Sequence, residues 1–430
     1  MAQQMRTDAD LLALFAPGTA RDDDGGLRIA GCRVDELAAA YGTPLLLVDE
    51  GHLRATVRAW QDGLEARRPG SRVTFASKAF PCTAVYRLMA EEGIGVDVAG
   101  GGELAQALAG GVDPARIILH GNAKTDAEIA AAHAAGVGLV VIDNLDDLDR
   151  LERLVTREQG VLVRITPGVE GETHASISTG GTDAKFGLPI DQAAAAVHRA
   201  ASHPRLRVDG VHIHIGSQIL ESAPFAASVR ALAALLEHER LGPFAVYDLG
   251  GGLGVRYTYD DEPAGLDEYL DAIAEAARAL LPADARVLLE PGRALVARSA
   301  ATVYRVVTHK RTGRDFVAVD GGMADNLEVA LFGQRFEIAH AARALDAAAI
   351  VCDVVGRHCE SGDRLIEDAL LPDPAVGDLL AVPVTGAYCF TMANNYNGAL
   401  RLPVVFARDG AHRAVVRRET HADLMARDLG

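Results

Sequence analysis

The chain has 430 residues, about half of them hydrophobic, and a formal net charge of -17 at pH 7. That length exceeds one ordinary core and predicts two domains, or one large barrel with an appendage. The acidic balance argues against nucleic acid or an anionic membrane as partner, because either would repel it, and leaves a small molecule as the default.

Residues Met1 to Asp10 lack the basic flank and apolar core of a signal peptide, and no apolar run approaches the roughly 20 residues a membrane span needs. The five cysteines, Cys32, Cys82, Cys352, Cys359 and Cys389, are odd in number and form neither a Cys-x-x-Cys pair nor a cluster with His at zinc-ligand spacing. This argues against a disulfide scaffold and structural zinc. The expectation is a soluble, cytoplasmic protein of a reducing compartment, with no metal.

In chain order, the run Asp22 to Gly26 reads as a solvated loop, and Leu27 to Leu47 as a segment joining a β-rich domain formed later. From Val73, short β-branched runs recur: Val73-Phe75, Gly95-Val98, Ile117-Leu119, Leu139-Ile142, Val161-Ile165, Val211-Ile215, Val246-Leu249 and Val287-Leu289, the first five starting about 22 residues apart. Between them lie stretches with apolar residues at helical spacing, such as Thr83-Glu92, Gly102-Ala109, Asp126-Ala135 and Leu145-Arg157. Eight strand-helix units predict a (β/α)8 TIM barrel over residues 48–300.

Beyond Ala301 the rhythm changes. Thr302-Thr308, Asp315-Asp320, Ile350-Val354, Leu379-Val384, Val404-Ala407 and His412-Arg418 read as strands joined by Gly, Pro and Asp turns. The predicted fold class is therefore α/β: a barrel followed by a β-rich domain, sandwich or barrel, over residues 301–430, which also takes in the N-terminal segment 1–47.

The unusual residues gather at one end of the predicted strands. Lys78 follows the first run and Asp97 ends the second; His120-Gly121-Asn122 follow the third, and Arg164 ends the fifth. The last three end in His214-Ile215-Gly216-Ser217, Asp248-Leu249-Gly250-Gly251-Gly252 and Glu290-Pro291-Gly292-Arg293. C-terminal strand ends are where such barrels build their sites.

Lys78 lies in Phe75-Ala76-Ser77-Lys78-Ala79-Phe80, an apolar setting that favours the nucleophilic amine. It reads as a Schiff-base lysine or as one snorkelling from a strand end. The glycine runs, with Ser217 and Arg293, would surround one anion with N–H groups, a hydroxyl and a guanidinium, which suits a phosphate. With a carboxylate at Glu290 to hold a ring nitrogen's proton, the set describes pyridoxal 5'-phosphate. In His358-Cys359-Glu360-Ser361-Gly362-Asp363, Cys359 reads either as a small buried hydrophobe or as a reactive thiol.

From about Tyr41 to Asp423 the chain resembles the diaminopimelate decarboxylases, within the alanine racemase-like, fold type III pyridoxal phosphate enzymes. The resemblance rests on Phe75 to Phe80, Leu119-His120-Gly121-Asn122-Ala123-Lys124, His212-Ile213-His214-Ile215-Gly216-Ser217-Gln218, Asp248 to Gly254, Glu290 to Arg293, the Cys359 segment and Gly386-Ala387-Tyr388. It implies that Lys78 carries the cofactor, that His214 stacks on its ring and that Glu290 pairs with its nitrogen. Ser217, Gly251, Gly252, Gly292 and Arg293 would hold the phosphate, with Tyr388 reaching it from the partner of a homodimer. It further implies that Cys359 is the proton donor and that Glu360 contacts the far end of the substrate, both from the other protomer. A thiol is protonated near neutral pH, as a proton donor must be. Arg293 and Tyr388 would also touch substrate.

One stretch departs from the family. After Asp320-Gly321-Gly322-Met323, diaminopimelate decarboxylases usually carry a substrate-binding arginine and, four residues later, a tyrosine; here those positions hold Glu328 and Phe332. A pair of charges at 4 Å is worth on the order of 4 kcal/mol at an effective dielectric near 20, and reversing one sign turns attraction into comparable repulsion. Loss of a binding phenol removes about another 1 kcal/mol. Glu328 would suit a distal cation, or Arg335 would replace the missing guanidinium, or Glu328 points to solvent and the substrate is unchanged.

The expected function is a pyridoxal phosphate-dependent carboxy-lyase acting on meso-diaminopimelate to give L-lysine and CO2 in lysine biosynthesis. The alternatives are a related decarboxylase for another diamino acid or a carrier-bound amino acid, a racemase, and a non-catalytic homologue. The Cys359 segment speaks against racemisation, and the presence of both Lys78 and Cys359 against a dead homologue.

Overall fold

The computed structural model describes residues 6–168, 185–346 and 348–430; the first five residues of the N-terminal segment lie outside them. The chain divides into two compact units, one of Thr56–Gly254 and Glu262–Ala294, the other of Met1–Ala55, Val255–Asp261 and Leu295–Gly430.

The first unit is a closed barrel. Its strands are β1 (Arg72–Ala76), β2 (Gly95–Val98), β3 (Ile117–Leu119), β4 (Leu139–Ile142), β5 (Gln159–Arg164), β6 (Leu206–His212), β7 (Val246–Asp248) and β8 (Arg286–Leu289). They neighbour one another in chain order, and β8 closes onto β1. All pairs are parallel, so each connection must cross back over the sheet. Helices α1 (Thr83–Glu91), α2 (Gly101–Ala109), α3 (Asp126–Ala135), α4 (Leu145–Leu154), α5 (Ile190–Ser202), α6 (Ala223–His238) and α7 (Leu266–Leu280) supply the crossovers. Ile118, Val141, Leu162, Val246 and Leu288 meet inside as a buried apolar layer, so the barrel is a packed core whose open chemistry lies at its rim.

Local signals explain the bounds. Thr125 caps α3 by accepting the Glu128 N–H while the Glu128 carboxylate accepts back from the Thr125 amide, and Gly136 ends the helix in the left-handed region. The helix predicted to run from Leu145 to Arg157 stops at Leu154. Val155 turns extended, and Thr156 donates its N–H to His133 Nε2 at 3.1 Å rather than to a helical carbonyl. The sixth strand, predicted over Val211–Ile215, ends instead at His212. Its first half, Leu206 to Val208, pairs in register with Gln159 to Val161, and pairing continues past the polar Arg207 and Asp209, so pairing rather than apolar content sets its limits.

In the second unit, β9 (Ala300–Arg311), β10 (Asp315–Val319), β11 (Ile350–Val355), β12 (Arg364–Leu371), β13 (Leu379–Pro383), β14 (Val404–Arg408) and β15 (Ala411–Val416) join Leu45–Asp49 and Ala339–His340. Among the described residues these form one nine-stranded mixed sheet. Leu45–Asp49 is buried along its whole length, antiparallel to β9 and parallel to β14. β12 was not expected. Glu367 and Asp368 interrupt its apolar pattern, and Asp368 takes a left-handed φ of 52° while its N–H donates to Asp353 Oδ1. Nor is the Asp22–Gly26 run a purely solvated loop: it turns between Ala20–Arg21 and Leu27–Ile29, with Asp22 paired to Arg28 and Arg33.

Candidate active site

The C-terminal rim of the barrel collects the charged and Gly-rich residues. β1 runs into a 3-10 turn, Ser77–Ala79, that carries Lys78. Phe75, Ser77 and Ala79 are buried, but the Lys78 side chain is exposed, so the apolar setting read from its neighbours does not surround the amine: strand and turn point the apolar groups inward and the lysine outward at the mouth. Its positive charge is felt by Asp97 on β2 and by His214 beyond β6.

Glu290 follows β8 and is buried. Oε1 lies 2.7 Å from His120 Nε2 and Oε2 lies 3.1 Å from His212 Nε2; a carboxylate only accepts, so both imidazoles donate N–H. Burial opposes ionisation of Glu290, but His120 and then His212 outweigh it and hold the carboxyl well below its ordinary range. Burial brings His212 down to about 4, so it donates as a neutral ring, and its buried Nδ1 has no partner among the described residues. Burial, then the charge of Glu290, pushes Asp97 and Asp248 well above the usual carboxylate range. Donor atoms of His120, His212, Asp248 and Glu290 all lie within 4.8 Å of one another. That composition could ligate a metal, but both Glu290 oxygens already accept imidazole N–H, and Asp248 Oδ1 accepts the Gly250 N–H at 3.0 Å.

His214 sits just beyond β6. Burial, then the charges of Lys78 and Arg164, drive it well below its ordinary value, and its Nδ1 lies 3.3 Å from the Gly251 amide. The loops after β6, β7 and β8 meet here. A Cβ on Gly250 would lie 2.6 Å from Ile213 O, while one on Gly251 would overlap the Glu290 carbonyl and one on Gly252, at φ +121°, the Gly216 carbonyl. Only glycines bring these three loops so close. Arg293 Nε lies 3.5 Å from Ser217 Oγ, which adds a guanidinium and a hydroxyl to the cradle. These groups fit the phosphate of pyridoxal phosphate, and Lys78 and Glu290 on the same rim fit its other two attachment points.

A family described as "Pyridoxal-dependent decarboxylase, pyridoxal binding domain" matches residues 50–297. The diaminopimelate decarboxylase of Actinosynnema pretiosum subsp. auranticum is 44% identical, covering 97% of this chain and 95% of that protein. The chain belongs to the diaminopimelate decarboxylase family. The Bacillus subtilis (strain 168) member of that family is 40% identical over 97% of this chain and 98% of its own length. The solved structure of M. jannaschii diaminopimelate decarboxylase in co-complex with L-lysine matches with a TM-score of 0.89 at 31% identity, covering 97% of this chain and 99% of that one.

Of the residues singled out in this family member's sequence, Lys78, His214, Ser217, Gly251, Gly252, Glu290, Gly292 and Arg293 belong to the barrel unit, whereas Glu328, Phe332, Cys359, Glu360 and Tyr388 belong to the other. Cys359 is exposed, which removes the reading of a buried hydrophobe. Glu328 is 1% exposed, so it does not point to solvent; the helix Leu327–Phe332 turns it inward while Leu331 faces out. Arg335 is exposed and lies 3.6 Å from Asp260, and it lines one pocket with Ser361 and Gly362 of the Cys359 turn. His120 and His212 hold Glu290, a role that nothing in their sequence surroundings announces beyond position, just after β3 and at the end of β6.

Proposed function

We propose that this chain is a pyridoxal phosphate-dependent carboxy-lyase that converts meso-diaminopimelate to L-lysine and CO2, acting in the cytoplasm as a homodimer with shared active sites. The observation that carries the reading is the convergence of Lys78, Glu290 and the Gly250–Gly252, Ser217 and Arg293 cradle on one barrel rim, in a chain 44% identical to a diaminopimelate decarboxylase over nearly its full length.

When bound, pyridoxal phosphate supplies an electron-withdrawing ring for the pair released as the α-carboxylate leaves. Lys78 would anchor it through its amine. Glu290, ionised and braced by His120 and His212, would hold the proton on the ring nitrogen, and neutral His214 would lie against the ring. Ser217, Gly251, Gly252, Gly292 and Arg293 would bind the phosphate, with Tyr388 of the second protomer. Cys359 Sγ would deliver the proton that replaces the carboxylate, and Glu360 would meet the distal ammonium of the substrate.

One observation favours a second reading, a related decarboxylase for another diamino acid or a carrier-bound amino acid: Glu328, an acid, is buried where the family usually carries arginine. Carbon dioxide release from meso-diaminopimelate, lysine, ornithine, arginine and glutamate separates the two. Turnover of meso-diaminopimelate is expected, and turnover of another member without it would overturn the main assignment.

A further inference from the structure

Cys359 and Glu360 lie in the turn between β11 and β12, which is closed by the Gly356 N–H donating to Asp363 O at 2.9 Å and the Asp363 N–H donating to Glu360 O at 3.1 Å, and both side chains are exposed. A proton donor and a carboxylate with specific targets need fixed positions, and those backbone bonds involve neither the Cys359 N–H nor the Glu360 carboxylate.

Two contacts from one neighbouring segment hold these two groups. The Tyr396 hydroxyl donates to Glu360 Oε1 at 2.6 Å, a short bond of the charge-assisted kind. Asn397 Oδ1 accepts the Cys359 N–H at 3.0 Å. Asn397 adopts φ 52°, ψ 24°, the left-handed conformation that Asn tolerates better than most residues, and this turns its amide toward the cysteine. The Tyr396 ring packs at 5.5 Å, tilted 36°, on His358, which is 7% exposed and immobilises the phenol from beneath.

The segment is itself anchored. Asn394 donates its N–H to Ala324 O at 3.1 Å, and Asp363 ties the turn to that same stretch, its Oδ1 accepting the Met323 N–H at 2.7 Å and its Oδ2 the His358 N–H at 2.8 Å. We propose that Asn394–Asn397 is a positioning clamp for the proton donor and the distal-end carboxylate: Tyr396 orients Glu360 for substrate, and Asn397 orients the Cys359 backbone for proton delivery. The inference rests on the roles proposed above for Cys359 and Glu360.

The two halves act on different constants. Tyr396→Phe keeps the ring on His358 and removes only the hydroxyl; Asn397→Gly keeps the left-handed backbone and removes only the acceptor. With meso-diaminopimelate and the cofactor-loaded enzyme, Tyr396→Phe is expected to raise KM about tenfold with kcat within about twofold, the size of one lost bond to a charged group. Asn397→Gly is expected to lower kcat about tenfold with KM nearly constant. Tyr396→Phe added to Glu360→Gln should raise KM no further, because the two form one interaction. If Glu360→Gln raises KM while Tyr396→Phe leaves it unchanged or adds its full effect, or if Asn397→Gly leaves kcat intact while Cys359→Ala abolishes it, the clamp is overturned alone. If Glu360→Gln and Cys359→Ala both turn over normally, the underlying roles fall and the clamp with them.

Discussion

The charge state at the barrel rim can be tested through His212. Burial lowers this imidazole from 6.5 to about 4, so between those values the unfolded chain binds a proton that the native protein refuses. Stability from this group is complete above pH 6.5 and is lost as the pH falls toward 4. The span of about 2.5 units corresponds to about 3 kcal/mol at 1.36 kcal/mol per unit, of which about 2 kcal/mol is lost between pH 7 and pH 5. Other groups titrate too: burial takes His52 to about 4 as well, while Asp325 and Glu337, raised by burial to about 7, contribute in the opposite sense. His212→Asn removes the His212 contribution and keeps an N–H for Glu290, which His120 also braces, so the contributions of His52, Asp325 and Glu337 cancel on comparison. Urea unfolding at pH 7 and pH 5 should show the wild type losing about 2 kcal/mol more than the variant. Equal losses would mean that His212 is not held neutral, and the account of how Glu290 is braced would fail with it.

Two further outcomes follow from the site. Lys78→Ala is expected to abolish the visible absorbance of lysine-bound pyridoxal, and Cys359→Ala to retain that absorbance while product formation slows severely; normal turnover by the second variant would remove Cys359 as proton donor. Gly251→Ala forces a methyl into the Glu290 carbonyl, and overpacking of this kind costs about 1–3 kcal/mol. Its thermal midpoint should drop and its cofactor affinity fall, and unchanged pyridoxal phosphate titration would refute the closeness of the three loops.

Much of this architecture could be read from residue order. Strands β2, β3 and β4 fall where their β-branched runs do, because each is a short apolar segment bounded by polar or Gly-rich residues, and α3 starts and stops at its capping box and Gly136. The bounds that differ are those that distant partners decide. β12 carries Glu367-Asp368 at its centre, a break in the apolar pattern that the Asp368 N–H bond to Asp353 of β11 accommodates. The end of β6 depends on pairing with β5, and the burial of Glu328 on which way one short helix faces. The residues at the rim were recognisable by type, but not the partners of each.

The charge pattern of the rim is the clearest case. Asp97, Asp248 and Glu290 are all buried carboxyls at strand ends, and strand-end position alone does not tell their charge states apart. Burying three anions together would be prohibitive, so the protons must be shared unequally. Glu290 alone meets two imidazole donors, and it alone is shifted toward the anion; Asp97 and Asp248 feel its charge and are shifted toward the neutral acid. The negative charge of the rim is therefore drawn toward Glu290, and His120 and His212, by donating to it, favour that carboxyl as its carrier.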